Sequence, residues 1–315
     1  MIIDLPSTTT SNVNKRMVQL RVSGGAVTTG RVLTLIIVTD DGADTEQAIL
    51  AANEASHEHP CRVIVLARGA RKAVARLDAQ IRVGGDAGAS EVVVLRLYGP
   101  LADHADSVVV PFLLPDTPVV AWWPGEPPVT PSADPIGKLA NRRITDASSS
   151  ANPSKSLASR LATYADGDTD LAWSRLTPWR ALLASALDQP PYEAVTGATV
   201  TGGPGSPSSD LLAGWLASSM DVPVRRIRGG EGIGSVQLER RSGPVALIRP
   251  EGATGVLTQP GQPDRTVALA RRQVRDCLAE ELRRLDPDEI YRRALGGLSL
   301  VKRSRAQAKS PLAPR

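Results

Sequence analysis

Two apolar, β-branched runs, VLTLIIVT at 32–39 and CRVIVLA at 61–67, flank one helical pattern, and their spacing restricts the fold more than any other feature of the chain. Both runs are apolar almost throughout, so each predicts a strand covered on both faces. Between them Asp44-Thr45-Glu46-Gln47 predicts a helix start, with Asp44 as cap and Gln47 able to bond back to it. Strand, helix and strand at this distance make a βαβ unit, hence a parallel pair joined by a right-handed crossover.

Further strands are expected at 79–83 and 91–97, joined as a hairpin by the GGDAGAS turn, and at 119–125. A helix is expected between them, from 101 to about 110. The segment 119–125, VVAWWPG, has an added constraint. Neighbouring residues of a strand point to opposite faces, so Trp122 and Trp123 separate, and one is expected as a core anchor and the other as a contact residue. After a proline-rich loop, 142–146 reads as a strand, and helices are expected from Ser156 and from Thr177-Pro178. Beyond Pro191, strands at 195–201, 222–227, 234–239, 246–249 and 265–270 alternate with Gly/Pro turns. One helix at 209–220 interrupts them and two more, at 271–285 and 287–295, follow.

The fold class expected is therefore α/β and α+β: an N-terminal mixed-sheet α/β domain followed by a second α+β domain with a largely antiparallel sheet. The expected boundaries are a flexible N-terminal arm and first strand over 1–30, the first domain with a helical extension over 31–190, the second over 191–297, and a disordered basic tail over 298–315. A chain of 315 residues is long enough for two such domains.

Charge is unevenly distributed. From Asp221 onward 19 Lys/Arg stand against 11 Asp/Glu, a net of +8, while residues 1–220 carry 18 against 22, a net of −4. No aromatic residues are interleaved with the basic ones in the manner that stacks bases, so nucleic acid is not the expected partner. Cys61 and Cys277 lie in apolar patterns and suggest buried thiols in a reducing compartment. With no leader-like start and no apolar run of spanning length, a cytoplasmic protein without membrane contact is expected.

Sites of known chemistry are sparse. His57, His59 and His104 have no metal-ligand spacing, and the glycine turns at 202–205 and 229–232 lack the Lys-Ser/Thr of a phosphate loop. The first strand runs into DDGADTEQ instead of GxGxxG, which leaves no cradle for a pyrophosphate; Asp40 and Asp41 read as turn and cap residues. No catalytic, cofactor-binding or metal-binding residue is assigned, and no enzyme is expected. Tryptophans beside arginines stand out instead, because such pairs anchor protein interfaces. Trp122, Trp123, Arg142, Arg143, Trp173, Arg175, Trp179 and Arg180 are the candidate protein-contact residues, whereas Trp215 is expected in the core.

Four motifs, HPCRVIVL from His59, VVAWWPGEPP from Val119, ANRRITDAS from Ala140 and DLAWSRLTPWRALLA from Asp170, together resemble the glucose-6-phosphate dehydrogenase assembly proteins called OpcA. The resemblance spans roughly residues 30 to 295. It implies a non-catalytic partner that binds glucose-6-phosphate dehydrogenase and promotes its assembly or activated state at the entry to the oxidative pentose phosphate pathway. Two other readings compete with it: a sugar-phosphate-binding sensor or undetected enzyme, and a nucleic-acid-binding protein.

Overall fold

The computed structural model describes residues 1–23, 32–84 and 91–305. In chain order the first half holds β1 (Ile2–Leu5), α1 (Thr10–Ser23), β2 (Leu33–Asp40), α2 (Ala43–Ala55), β3 (Cys61–Arg68), β4 (Arg76–Arg82), β5 (Glu91–Tyr98), α3 (Ala105–Val109), β6 (Val119–Trp122), α4 (Pro135–Leu139) and β7 (Arg142–Thr145). The second half holds α5 (Pro153–Thr163), β8 (Asp168–Asp170), α6 (Leu171–Ser174), α7 (Thr177–Leu187), β9 (Gly197–Gly202), α8 (Pro207–Met220), β10 (Val224–Arg228), β11 (Ile233–Glu239), β12 (Val245–Ile248), β13 (Thr254–Thr258), β14 (Arg265–Ala268), α9 (Val274–Arg283), α10 (Glu289–Gly297) and β15 (Lys302–Arg305). The protein is thus a mixed α/β chain with two sheet-containing units. One comprises 1–151, 163–174 and 273–287, the other 152–162, 175–272 and 288–315, so the units interleave along the sequence.

The first unit is built on an eight-stranded sheet of order β1-β4-β5-β3-β2-β6-β7-β8. The six strands from β5 to β8 are parallel, and β4 and β1 are added antiparallel at one edge. Counted among the parallel strands alone, the order is third, second, first, fourth, fifth, sixth, which is the doubly wound arrangement. Alternation assigns the strand residues to two cores. Ile36, Ile64, Val93 and Trp123 pack with Val13, Met17, Val108 and Ile136 from α1, α3 and α4. Leu35, Val63, Val94 and Trp122 pack with Ile49 from α2 and Leu278 and Leu282 from α9. Both faces are covered, which is why the strands are apolar throughout rather than alternating.

Two expectations for the chain ends are corrected. Residues 7–14, part of the arm expected to be flexible over 1–30, run into α1: the Thr9 hydroxyl accepts from Asn12 N–H at 3.2 Å, and Val13 and Met17 are fully buried. The polar residues of that stretch form the solvent side of the helix, while Val13, Met17 and Leu20 repeat at helical spacing on the other. Residues 302–305, inside the stretch 298–315 expected as a disordered tail, form β15 alongside β10 in parallel register. The rest of that tail, 306–315, lies outside the described residues, as do positions 85–90 of the expected hairpin turn, although β4 and β5 do pair antiparallel.

The second unit contains a seven-stranded sheet of order β14-β13-β12-β11-β9-β10-β15, antiparallel except where β10 meets β9 and β15. The glycine turn at 229–232 therefore connects β10 to β11 across β9 instead of closing a hairpin. The turn at 202–205 leads from β9 into α8. There the buried Arg226 guanidinium donates to the carbonyls of Gly202 at 3.0 Å and Gly203 at 2.6 Å, and to Asp210 at 2.9 Å. This glycine turn holds a cation of its own chain, the reverse of a phosphate cradle.

Candidate functional site

Strand order locates the site. In a doubly wound sheet the connections leave to opposite faces at the first and fourth parallel strands, and a crevice opens beyond their carboxyl ends. Here those strands are β2 and β6. A crevice of about 1110 Å³ lies at that point, lined by the ends of β2, β3 and β6, by the turn after β7, by α2 from its first turn to Glu54, and by the first turn of α9.

Its lining is acidic: Asp40, Asp41, Asp44, Glu54, Glu126 and Asp146 face two arginines, Arg68 and Arg275. Some of this charge is already paired. Asp41 accepts from Arg96 Nε at 3.3 Å and from the Tyr98 hydroxyl at 3.0 Å, and burial together with that carboxylate raises the Tyr98 phenol above its ordinary value. Glu54 accepts from Arg275 at 3.0 Å. Glu126 accepts from the Ala151 N–H at 3.2 Å. Asp40 and Asp44 are exposed, and among the described residues neither carboxylate has a partner.

Asp146 sits beside a second buried carboxylate, Asp170 at the end of β8. Burial pushes the Asp170 carboxyl up from an ordinary 3.8 to about 6, and the Asp146 charge adds to the effect. Opposing this, Asp170 accepts from the Thr145 hydroxyl at 2.6 Å and from the N–H groups of Ala172 at 2.9 Å and Ala147 at 3.0 Å. The pair fixes the loops that follow β7 and β8, one of which forms part of the crevice wall.

The expected contact residues lie mostly in the cores. Trp122, Trp123, Trp173 and Trp179 are each no more than 2% exposed. Trp122 and Trp123 do point to opposite faces, but both faces are covered, so the expected split into one buried and one exposed ring does not occur. Trp215, expected in the core, is instead the half-buried tryptophan. Arg142 is buried and donates to Glu281 and to the Asp286 carbonyl, and Arg143 donates to Asp168 and to the carbonyls of Ala140 and Asp166. These two arginines tie loops to the sheet. Trp173 belongs to the first unit and Trp179 to the second, where the Arg249 guanidinium lies 5.3 Å from its ring centre. Arg175 and Arg180 are half-buried, and Arg180 donates to the Thr177 hydroxyl at 3.1 Å.

Of the eight candidates only Trp122 and Trp123 line the crevice, and the indole Nε1–H of each is buried with no acceptor among the described residues. Sequence reading missed the crevice as a site. Its only sequence signal was the pair Asp40-Asp41 at a strand end, and that signal acquires meaning only once β6 is known to lie next to β2. Among the described residues no group of three or more His, Cys, Asp or Glu side chains is placed to hold a metal, and no helix is long and apolar enough to cross a membrane.

Residues 52–162 match the family of the glucose-6-phosphate dehydrogenase subunit N-terminal domain of OpcA, and residues 166–295 that of its C-terminal domain. The chain belongs to the OpcA family. Similar relatives are two OxPP cycle proteins named OpcA. The one from Synechococcus elongatus is 28% identical over 69% of this chain and 52% of its own length, and the one from Synechocystis is 28% identical over 42% and 30%. This OpcA-family chain thus spans about half the length of the first of these relatives, or less. Solved structures with some likeness include a 3-ketoreductase from Actinomadura kijaniata, at 10% identity over 87% of this chain and 99% of that one, TM-score 0.45. Glucose-6-phosphate 1-dehydrogenase from Mycobacterium avium is another, at 11% identity over 86% and 94%, TM-score 0.43. The doubly wound topology rests on the strand order alone.

Proposed function

We propose that this chain is a non-catalytic binding partner of glucose-6-phosphate dehydrogenase that promotes the enzyme's assembly or activated state. The observation that carries this reading is the pair of OpcA domain matches, which describe a subunit of that enzyme and together extend over 52–162 and 166–295. The first βα turn supports it. A doubly wound sheet binds a dinucleotide by placing the pyrophosphate on a glycine-rich turn at a helix N-terminus. In this chain the equivalent turn carries Asp40, Asp41 and Asp44, which repel phosphate.

A partner of this kind acts through differential affinity: it binds the competent enzyme state more tightly and shifts the population toward it by that ratio. Light scattering on the purified chain mixed with the dehydrogenase of the same organism tests the reading. A species heavier than either protein alone, growing with chain concentration until saturation, is expected. Two independent peaks at every ratio would remove the proposal.

A further inference from the structure

We infer that the open side of the seven-stranded sheet in the second unit is the surface that receives a different protein, one presenting a flat face with carboxylates at one border. On the binding-partner reading, on which this rests, that protein is glucose-6-phosphate dehydrogenase.

The two sides of this sheet differ. Val200, Val236, Leu247 and Leu257 are buried on one side, where α8 packs on β9 and β10. The strand residues that alternate with them are half-buried or exposed. Register aligns these open residues in rows. One row crosses six strands, from β10 to β14, as Ile227, Thr201, Ser235, Ile248, Val256 and Thr266. It carries no charge, and half of it is branched aliphatic, with Ile248 45% exposed directly opposite Val256. An antiparallel sheet wetted on one side alternates to polar residues there, so three aliphatic residues in one open row are a departure from that pattern. A centre depleted of charge and bordered by charge is the composition of a protein contact.

The neighbouring row selects the occupant. From β15 to β13 it runs Lys302, Arg225, Thr199, Gln237, Ala246 and Thr258, so its charge is confined to one corner, where Arg225 lies directly opposite Lys302. Like charges opposed across a ladder repel. Both residues are exposed, and among the described residues neither has a carboxylate partner; Asp210 is engaged by Arg226 and Arg303, which alternate to the other side of the sheet. A cation on an edge strand discourages edge-to-edge pairing, and that accounts for Lys302 on β15. It does not account for Arg225, which stands on the inner strand β10. A partner with carboxylates at this border relieves the repulsion and gains two ion pairs. A second copy of this chain does not supply them. In aligned face-to-face packing, a two-fold axis along the strands sets the corner over β13 and β14, whose open-side residues are uncharged, and an axis across the strands sets it over β10 and β15. Glu239, the carboxylate on this side, lies at the end of β11 and accepts from Gln237 at 2.9 Å.

The test titrates glucose-6-phosphate dehydrogenase of the same organism with four full-length chains: wild type, Ile248→Lys at the centre of the open side, Arg225→Glu/Lys302→Glu at its corner, and Lys15→Glu/Lys72→Glu, which makes the same charge change at exposed positions of the first unit. All the substituted side chains are exposed, and urea midpoints equal to wild type confirm that each variant is folded. Ile248→Lys and the corner variant are each expected to weaken binding by about tenfold or more, while the control stays within about twofold. Wild-type affinity should fall as salt rises, and fall less steeply in the corner variant. Wild-type binding that both open-side variants leave unchanged overturns the inference and leaves the binding-partner reading intact. Absence of binding by the wild type removes both. Light scattering on the chain alone separates the other occupant: a wild-type dimer that Ile248→Lys splits would assign this side to a second copy and overturn the inference, whereas the same mass for wild type and Ile248→Lys supports it.

Discussion

At residue scale, the most informative side chains are those that two environments compete for. Asp170 is buried with no cation beside it among the described residues, and its carboxyl is pushed up to about 6. The folded protein therefore binds that proton more tightly than the unfolded chain does. The contribution to stability is fully present below about 3.8, is lost as pH rises through about 6, and is level above. Asp146→Asn removes the neighbouring charge and keeps a side-chain oxygen to accept from Ser148 N–H, a bond now 3.0 Å long. Urea midpoints measured between pH 4 and 7 should fall less with rising pH in this variant than in the wild type; equal slopes would show that the two carboxylates do not interact. Trp122 and Trp123 supply a second residue-scale expectation. Because each fills a covered face, alanine at either position should cost about 3–5 kcal/mol of unfolding free energy. A loss below about 1 kcal/mol for either one would place its ring outside the core.

At the scale of elements, the βαβ unit was legible because burial on both faces leaves an unmistakable run of β-branched residues, and Pro178 marks the start of α7; the expected caps did not hold, since Asp44 and Thr177 lie inside their helices and the N-cap positions, Gly42 and Leu176, make no side-chain cap bond. Elements that went unread lacked such local signals. α1 begins in a polar tract whose helical repeat of Val13, Met17 and Leu20 is short and diluted. β13 contains Gly255, which reads as a turn; a Cβ there would approach Leu269 Cδ2 to 2.8 Å, so any larger residue would have to displace the Leu269 side chain. The place of α9 was also illegible. It joins the first unit, and its buried Glu281 accepts from Arg142 and from Ser174, residues more than a hundred positions earlier. Glu281→Ala leaves the Arg142 charge buried and unpaired, so a loss of about 3–5 kcal/mol is expected, with faster hydrogen exchange in α9 and the start of β7. The double variant Arg142→Met/Glu281→Leu should recover most of that loss. If the double variant is as unstable as the single one, the pair is not an isolated ion pair in a dry site.

At the scale of the whole molecule, the family resemblance was visible in four motifs, whereas the candidate site was not. The motifs owe their distinctiveness to tryptophans and arginines, and the structure uses most of those residues to hold loops and fill cores. Large aromatic groups and charged residues in one motif are equally suited to an interface and to a buried network, and only the tertiary structure separates these uses. The crevice, by contrast, is assembled from carboxylates that lie in unremarkable turns, and strand order alone brings them together. Protein binding is the central claim, and its functional consequence can be read directly. The specific activity of glucose-6-phosphate dehydrogenase from the same organism, titrated with this chain at fixed enzyme concentration, should rise and saturate near a stoichiometric ratio. Activity that stays flat across the titration, at enzyme concentrations both above and below its own assembly range, would contradict it.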